Sequence, residues 1–220
     1  MLRGVCALIV FLPVFASEPG IAVRVAVERL TDSRWSAVDP HLVLHGGDEV
    51  RFRFHSNRAG YLYVINHDAQ GHDTWLFPTP DSGEQNAIEA NKDYVIPATA
   101  GVFQIAAHPG YETTYWIVSP EELRGRKTFT PDTVNPDTAA SDRTPLLPRC
   151  GTGSLTARGN CTDHNAGAHR SAVAIPKWFD NPGALQARDL NVENTREQSR
   201  ISMATAFSAP FIYEFRIAHQ

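Results

Sequence analysis

Glu49–His55 reads EVRFRFH and Gly60–Asn66 reads GYLYVIN, and these two stretches decide the fold class of the chain. In the first stretch, Val50, Phe52 and Phe54 alternate with polar residues, which is typical of a β-strand with one buried face. The second stretch is more continuously apolar, as expected of a strand in the centre of a sheet. Together they predict an antiparallel sheet in this part of the chain.

Further short apolar runs extend this pattern toward the C-terminus. Polar turns and prolines separate the runs, and several short strands at this spacing are typical of an antiparallel sandwich or an open barrel. The predicted strands are Thr74–Phe77, Asp93–Ile96, Gly101–Ala107 and Thr113–Val118, and Phe207–Ala218 is predicted to add one or two closing strands.

Two short helices are predicted beside these strands. Ser119, Pro120 and Glu122 have the order of a capping box with proline at the first helical position, which predicts a helix of one or two turns. Residues 181–188 begin with Asn-Pro and predict a second short helix.

The first residues, MLRGVCALIVFLPVFASEPG, have the order of a secretory signal peptide. Arg3 precedes an apolar run over residues 5–15, and Ala16 supplies the small residue at the cleavage site. The run is shorter than the roughly 20 apolar residues that span a bilayer. We therefore expect cleavage after Ala16 or Ser17 and an exported protein that resides in the periplasm or outside the cell.

The composition predicts a globular domain. The chain has 220 residues, 42% of them hydrophobic, and a formal net charge of −4. Because it lacks a basic cluster, there is no electrostatic reason to expect nucleic-acid binding. We divide the chain into a signal peptide (1–16), a sandwich domain (21–124), a long loop excursion (125–180), and a short helix with closing strands of the same domain (181–220).

The loop excursion contains the two cysteines that remain after signal cleavage, Cys150 and Cys161. An even number of cysteines in an exported chain predicts a disulfide. The bridge is expected to hold the long loop together rather than to build the core.

The succession of motifs from about residue 40 to residue 120 resembles the family catalogued as domain of unknown function 4384. The motifs are Gly47–Asp48, Gly60–Leu62, a turn with Asp68 and Gly71, Leu76–Pro78, Tyr94–Pro97 and Gly110–Glu112. The resemblance implies an immunoglobulin-like β-sandwich of a bacterial envelope protein. It brings no catalytic residues with it. The predicted fold is therefore all-β and mainly antiparallel, with one or two short helices and a disulfide-pinned loop.

Cys150, Cys161, His164 and His169 are the first candidates for a metal site. Thiolates and imidazoles are ligands that suit zinc, and the order and spacing of these residues fit such a site. Oxidised cysteines cannot supply thiolates, so in an exported protein the disulfide is the favoured interpretation.

A second candidate is formed by His67, Asp68, His72 and Asp73, which surround one predicted hairpin turn. Two imidazoles and two carboxylates have the chemistry to hold a divalent ion. Polar residues of this kind are also what a tight turn requires for backbone reasons, and that structural interpretation is favoured.

The aromatic residues are the third set of candidates. Tryptophans can bind sugar rings or peptides from an exposed platform, although aromatics in strands more often belong to the core. The possible binding residues are Trp178, Trp75 and Trp116, with Trp178 in the most loop-like sequence.

These observations lead to one main hypothesis and two alternatives. The main hypothesis is an exported, non-catalytic envelope protein that binds a protein or an envelope polymer through a sheet face, a sheet edge or the long loop. The alternatives are a secreted hydrolase or metal-binding protein that uses the histidines of the 150–170 loop, and a carbohydrate-binding module. No cofactor, and no membrane-spanning segment after signal cleavage, is predicted.

Overall fold

The computed structural model describes residues 20–68, 73–123, 147–148, 161–171 and 189–220. These residues form thirteen strands and no α-helix, and none of them lies in a helix that could span a membrane. The strands are β1 (Ile21–Thr31), β2 (Arg34–Ala37), β3 (Glu49–Ser56), β4 (Gly60–His67), β5 (Asp73–Phe77), β6 (Ala87–Ile88), β7 (Lys92–Ile96), β8 (Phe103–Gln104), β9 (Gly110–Ser119), β10 (Gly167–Arg170), β11 (Asn191–Asn194), β12 (Ser199–Met203) and β13 (Phe211–His219).

The strands form two sheets with antiparallel pairing throughout. Sheet A has the order β11-β12-β1-β3-β7, with β2 beside one end of β1 and β8 beside one end of β3. Sheet B has the order β10-β13-β9-β4-β5, with β6 beside β4. The predicted all-β, mainly antiparallel class is therefore confirmed. An isolated bridge between Leu44 and His219 runs parallel.

The two sheets pack face to face through one shared hydrophobic core. Trp116 of sheet B is fully buried, and its ring lies 5.2 Å from that of Phe52 and 5.8 Å from that of Phe54, both on β3. These aromatic contacts join alternating residues from facing strands, as in a sandwich. The arrangement is therefore sandwich-like.

One lateral edge is closed by the side chain of Asn194 at the end of β11. Its Oδ1 accepts a hydrogen bond from the backbone N–H of Ala168 at 3.0 Å, and its Nδ2 donates to the carbonyl of the same residue at 3.1 Å. Gly167 lies directly beside this amide with φ of 89°, and a Cβ there would lie 3.0 Å from Asn194 Oδ1. Glycine therefore allows sheet A to be tied to sheet B at this point.

The opposite edge is closed by the loops that follow β5 and β7, which belong to different sheets. The backbone N–H of Ala98 donates to the carbonyl of Ser82 at 2.7 Å, and Thr99 Oγ1 donates to the carbonyl of Asp81 at 2.6 Å. The Leu-Phe-Pro and Tyr-x-Ile-Pro motifs end β5 and β7. These two motifs, well separated in the sequence, therefore lead into neighbouring loops.

Most predicted strands lie close to observed ones, but their lengths differ. On β3, Val50, Phe52 and Phe54 are all buried, as their alternation predicts. The strand predicted over Gly101–Ala107 is reduced to β8, because the backbone beyond it bonds to the turn that precedes β3 through Ile105.

The helix predicted from Ser119 is wrong for the residues described, which reach residue 123. Ser119 is the last residue of β9, and its hydroxyl donates to the carbonyl of Glu121 at 2.5 Å. The N–H of Leu123 donates to the hydroxyl of Tyr63 at 2.8 Å. Side-chain partners thus satisfy this backbone in place of helical hydrogen bonds. The helix predicted over 181–188 lies outside the described residues.

The loop excursion predicted over 125–180 is described only in part. Within it, β10 pairs with β13, and Leu42 forms a bridge with Thr162. Ala166 is fully buried there. This portion of the predicted loop is therefore built into the fold. Sequence periodicity did not indicate β10 because the strand is only four residues long.

Candidate interaction face

The outer faces of the two sheets differ sharply in exposure. On the outer face of sheet B, Tyr63, Ile65, Ile117 and Ile212 are no more than 4% exposed and form a second hydrophobic cluster together with Leu123. The outer face of sheet A carries charged side chains instead. We call it the charged face, and its members are Arg24, Glu28, Arg51, Arg53, His55, Asp93, Glu193 and Arg200.

Glu28 of β1 organises one part of the charged face. Its side chain is only 7% exposed, and its carboxylate accepts hydrogen bonds from Arg51 Nε at 2.6 Å and from Arg53 Nε at 2.9 Å. Arg53 adds a second bond, from a terminal guanidinium nitrogen at 2.6 Å. The Arg51 guanidinium also stacks over the Trp35 ring, 4.4 Å from its centre. These contacts hold both arginines in fixed positions.

The pKa of Glu28 reflects two opposing effects. Burial by itself raises this pKa, because it disfavours the charged carboxylate. The hydrogen bonds and charges of Arg53 and Arg51 outweigh burial, so the pKa of Glu28 lies below its ordinary value of 4.5. Glu28 is therefore ionised at neutral pH.

A row of charged residues crosses sheet A beside this cluster. The strand register places Glu193, Arg200, Arg24, His55 and Asp93 on five adjacent strands, each opposite the next. His55 Nδ1 lies 2.9 Å from Asp93 Oδ1. Arg24 and Arg200 are both exposed. Neither guanidinium forms an ion pair with a residue that the structure describes, which leaves two neighbouring cations open to a ligand.

Cys161, His164 and His169, the zinc-site candidates that the structure describes, are not gathered into one site. Cys150 lies outside the described residues, so its pairing with Cys161 stays a prediction. Cys161 packs against a small hydrophobic cluster that contains Val43 and Ala166. It directly precedes Thr162, which forms an isolated bridge with Leu42.

The two loop histidines have separate surroundings. His164 is exposed, and its ring makes an edge contact with that of His41, with ring centres 5.2 Å apart. His169 Nε2 lies 3.0 Å from the carbonyl oxygen of Asn165, and burial together with the charge of Arg216 lowers the pKa of His169. Among the described residues, no group of three or more His, Cys, Asp or Glu side chains is placed to hold a metal ion.

The second set of candidates forms an ion pair across the hairpin between β4 and β5. His67 Nδ1 lies 2.8 Å from Asp73 Oδ1, and this hydrogen bond raises the pKa of His67 despite partial burial. The charge of Asp68 raises it further. His72 lies outside the described residues. The contact between His67 and Asp73 joins the two strands of the hairpin, and the structural interpretation of the four residues stays a prediction.

The candidate aromatics occupy three different situations. Trp116 lies in the core, where its Nε1 donates to Thr114 Oγ1 at 2.8 Å, so it cannot serve as an exposed platform. Trp75 is partly buried beside Tyr63, with ring centres 6.3 Å apart. Trp178 lies outside the described residues. The proposed role of Trp116 in binding is therefore not compatible with its position.

A buried polar cluster lies at one end of sheet B on its core-facing side. His219 is fully buried, and its Nε2 lies 3.5 Å from Glu112 Oε1. The other carboxylate oxygen of Glu112 accepts a hydrogen bond from Asn66 Nδ2 at 2.6 Å. The cluster provides one acid and one imidazole beside the backbone bridge between His219 and Leu44.

Sequence reasoning placed Arg51, Arg53 and His55 on the polar side of a strand but missed the rest of the charged face. The signal for β1 was present in IAVRVAVERLT, where Arg24 and Glu28 interrupt an apolar run at even spacing. No local pattern could align Arg24 with Arg200, because this register joins strands from opposite ends of the chain.

Comparison with known proteins identifies a family for part of the chain. Residues 43–122 match the model of the family described as a domain of unknown function (DUF4384). This match confirms the resemblance inferred from the motifs. It extends from just before β3 to just after β9, so β1, β2 and β10 to β13 complete the two sheets from outside the matched segment. No curated protein and no solved structure matches the chain.

Proposed function

We propose that this chain, whose residues 43–122 belong to the DUF4384 family, is an exported, non-catalytic binding module that meets a protein partner through the charged face of sheet A. The observation that carries the proposal is the contrast between the two sheet faces. The side chains on the outer face of sheet B are buried in an apolar cluster, whereas the outer face of sheet A presents two arginines held by Glu28 and the exposed Arg24 and Arg200.

Surface composition favours a polar mode of binding. Among the described residues, the only exposed large apolar side chains are Val102, at 38%, and Leu147, at 61%. Apolar docking patches are usually larger and contiguous. A partner of this part of the chain would therefore be recognised by charge complementarity, which favours specificity and rapid encounter.

The arginines that Glu28 holds in place make the charged face suitable for binding a protein partner. Arg51 and Arg53 are positioned by Glu28, so little side-chain entropy remains to be lost when they contact a partner. A preorganised sheet face of this kind suits protein binding, whereas turnover of a small substrate usually requires a concave site.

The proposal also includes the features expected from the sequence outside the described residues. These are cleavage of the signal peptide after Ala16 or Ser17, a disulfide between Cys150 and Cys161, and an immunoglobulin-like class for the sandwich. N-terminal sequencing of protein purified from its own cells tests export, with a mature start at Ser17 or Glu18 expected and an intact Met1 contradicting it.

The two alternative functions have less to favour them. A hydrolase or metal-binding protein using His164 or His169 would need a partner group for each imidazole, and among the described residues these two imidazoles contact a ring and backbone carbonyls respectively. A carbohydrate-binding module would need exposed tryptophans, and of the three candidates only Trp75 is both described and partly exposed.

Site-specific photocrosslinking in the native cells tests the binding face. A photoreactive residue replaces Ser202, which lies on the charged face beside Arg200, and a matched variant carries it at Glu121, an exposed position just after β9. We expect a discrete adduct from position 202 and none from position 121. Adducts from neither position, in protein shown to be folded and exported, would remove the support for this face.

A further inference from the structure

We propose that Arg24 and Arg200 form a carboxylate-binding subsite that accepts acidic side chains of a protein partner. This inference rests on the proposed function, because it specifies which part of the charged face makes the decisive contact and with what chemistry. It is argued from the strand register, the surroundings of the two arginines and the charges at the ends of their row.

The register places two like charges directly opposite each other. Arg24 of β1 faces Arg200 of β12 in an antiparallel pair, where opposite Cβ atoms are about 4.5–5.5 Å apart. Like charges in this position destabilise a sheet. Neither arginine has an ion pair with a described residue that would relieve the repulsion. A bound oxyanion would relieve it, since each guanidinium can donate two parallel hydrogen bonds to a carboxylate.

The side chains next to the two arginines are small. Along β1, the neighbours of Arg24 on the same face are Ala22 and Ala26, and along β12 the neighbour of Arg200 is Ser202. Ala22 and Ser202 also lie opposite each other. The two arginine side chains are therefore longer than their neighbours on this face, which leaves room for a side chain of a partner to approach the guanidinium groups from the side.

Charges at the ends of the row favour a protein over a uniform polyanion. Glu193 lies beyond Arg200, and Asp93 lies beyond His55 on the other side of Arg24. A polymer with an anion at every unit would place negative groups against these two acids as well as against the arginines, and like-charge contacts oppose binding. A protein surface can present acids at the centre and basic or neutral groups at the sides.

The test uses full-length mature protein and a capped oligo-aspartate peptide as the probe. The signals of the arginine side-chain Nε–H groups are followed by NMR while the peptide is added at constant ionic strength. We expect the Arg24 and Arg200 signals to move together. Arg24→Ala and Arg200→Ala are each expected to weaken binding about tenfold or more, because each removes a charge-assisted contact. Arg34→Ala is the matched control, since Arg34 is an exposed arginine of β2 outside the row.

Each outcome bears on the proposal. Selective movement of the two signals, lost in either row variant and kept in Arg34→Ala, supports it. Equal movement of all exposed arginines, or no movement, overturns the subsite. Binding of inorganic polyphosphate without binding of the peptide overturns the assignment to a protein partner. If position 202 still forms its adduct in cells while the peptide does not bind, the subsite fails and the proposed function stands.

Discussion

Replacing Glu28 by glutamine tests how the charged face is held together. The substitution keeps the size of the side chain but removes the charge that accepts three hydrogen bonds from Arg51 and Arg53. Exposed ion pairs contribute up to about 1 kcal/mol, and removal of one partner from a fully buried pair costs about 3–5 kcal/mol. Glu28 is 7% exposed, but the side chains of Arg51 and Arg53 are 23% and 45% exposed. We therefore expect an intermediate loss, about 2 kcal/mol.

Urea unfolding at neutral pH measures this loss directly. Glu193→Gln is the matched control, because Glu193 is an exposed acid of the same face, and its effect is expected to stay within about 0.5 kcal/mol. A loss for Glu28→Gln no greater than that of the control would refute the reasoning about burial and hydrogen bonding. Double-mutant cycles that combine Glu28→Gln with Arg51→Met or with Arg53→Met would divide the loss of unfolding free energy between the two arginines.

The pH dependence provides a second check on Glu28. Its pKa is lowered in the folded state, so its contribution to stability is present above the ordinary value of 4.5 and is lost as the pH falls through the folded pKa. The difference in unfolding free energy between wild type and Glu28→Gln should therefore shrink as the pH falls below 4.5 and through the lowered pKa of the folded state. A difference that stays constant down to the acid transition contradicts this assignment.

Three further predictions concern other parts of the fold. The pKa of His67, followed by NMR, should lie above 6.5 and fall toward that value in Asp73→Asn. Because this pKa is raised, the stability that the pair contributes is present below pH 6.5 and lost as the pH rises through the folded pKa. Asn194→Ala should lower the unfolding free energy by about 1–3 kcal/mol, since it leaves a backbone N–H and C=O of β10 without partners; an unchanged denaturation midpoint would argue against the tie between the sheets. A thiol assay on unfolded, exported protein should find no reactive thiol if Cys150 and Cys161 are bridged, and reduction should cost about 3 kcal/mol of stability.

Local sequence patterns predicted the strands that have a clear period of two. The alternation of Val50, Phe52 and Phe54 is enough to place β3, because one side of that strand faces the core and the other faces solvent. Both faces of β13 are buried: Ile212 and Glu214, which alternate with the core residues of that strand, are 4% and 5% exposed. A period of two in the sequence does not by itself show whether the second face of a strand is exposed.

The candidate site was predictable only in fragments. Arg51 and Arg53 could be placed on one face of a strand, but their shared acid, Glu28, comes from another strand that is paired through long-range register. The pairing of Arg24 with Arg200 has the same origin. Trp116 shows a second limit of local sequence patterns. A tryptophan in a strand has the same local sequence whether its ring lies in the core or on an exposed binding surface. Contacts of this kind depend on which strands become neighbours.

The family match and the fold differ in extent, and this difference affects how the domain should be studied. Residues 43–122 contain β3 to β9, but β1 separates β3 from β12 in sheet A, and β13 separates β9 from β10 in sheet B. A fragment limited to the matched segment would leave the edges of β3 and β9 without their neighbours. Exposed edges of that kind promote aggregation. Experiments on the charged face therefore require the full mature chain.

The most direct test of the central claim combines the in-cell crosslink with charge reversal. The photoreactive residue is placed at position 202, and the adduct is compared between the wild-type background, the Arg24→Glu/Arg200→Glu double variant and an Arg34→Glu control. If the charged face binds an acidic partner through this pair, the adduct should be lost in the double variant and retained in the control. An adduct of unchanged yield in the folded, exported double variant would contradict binding of the partner through Arg24 and Arg200.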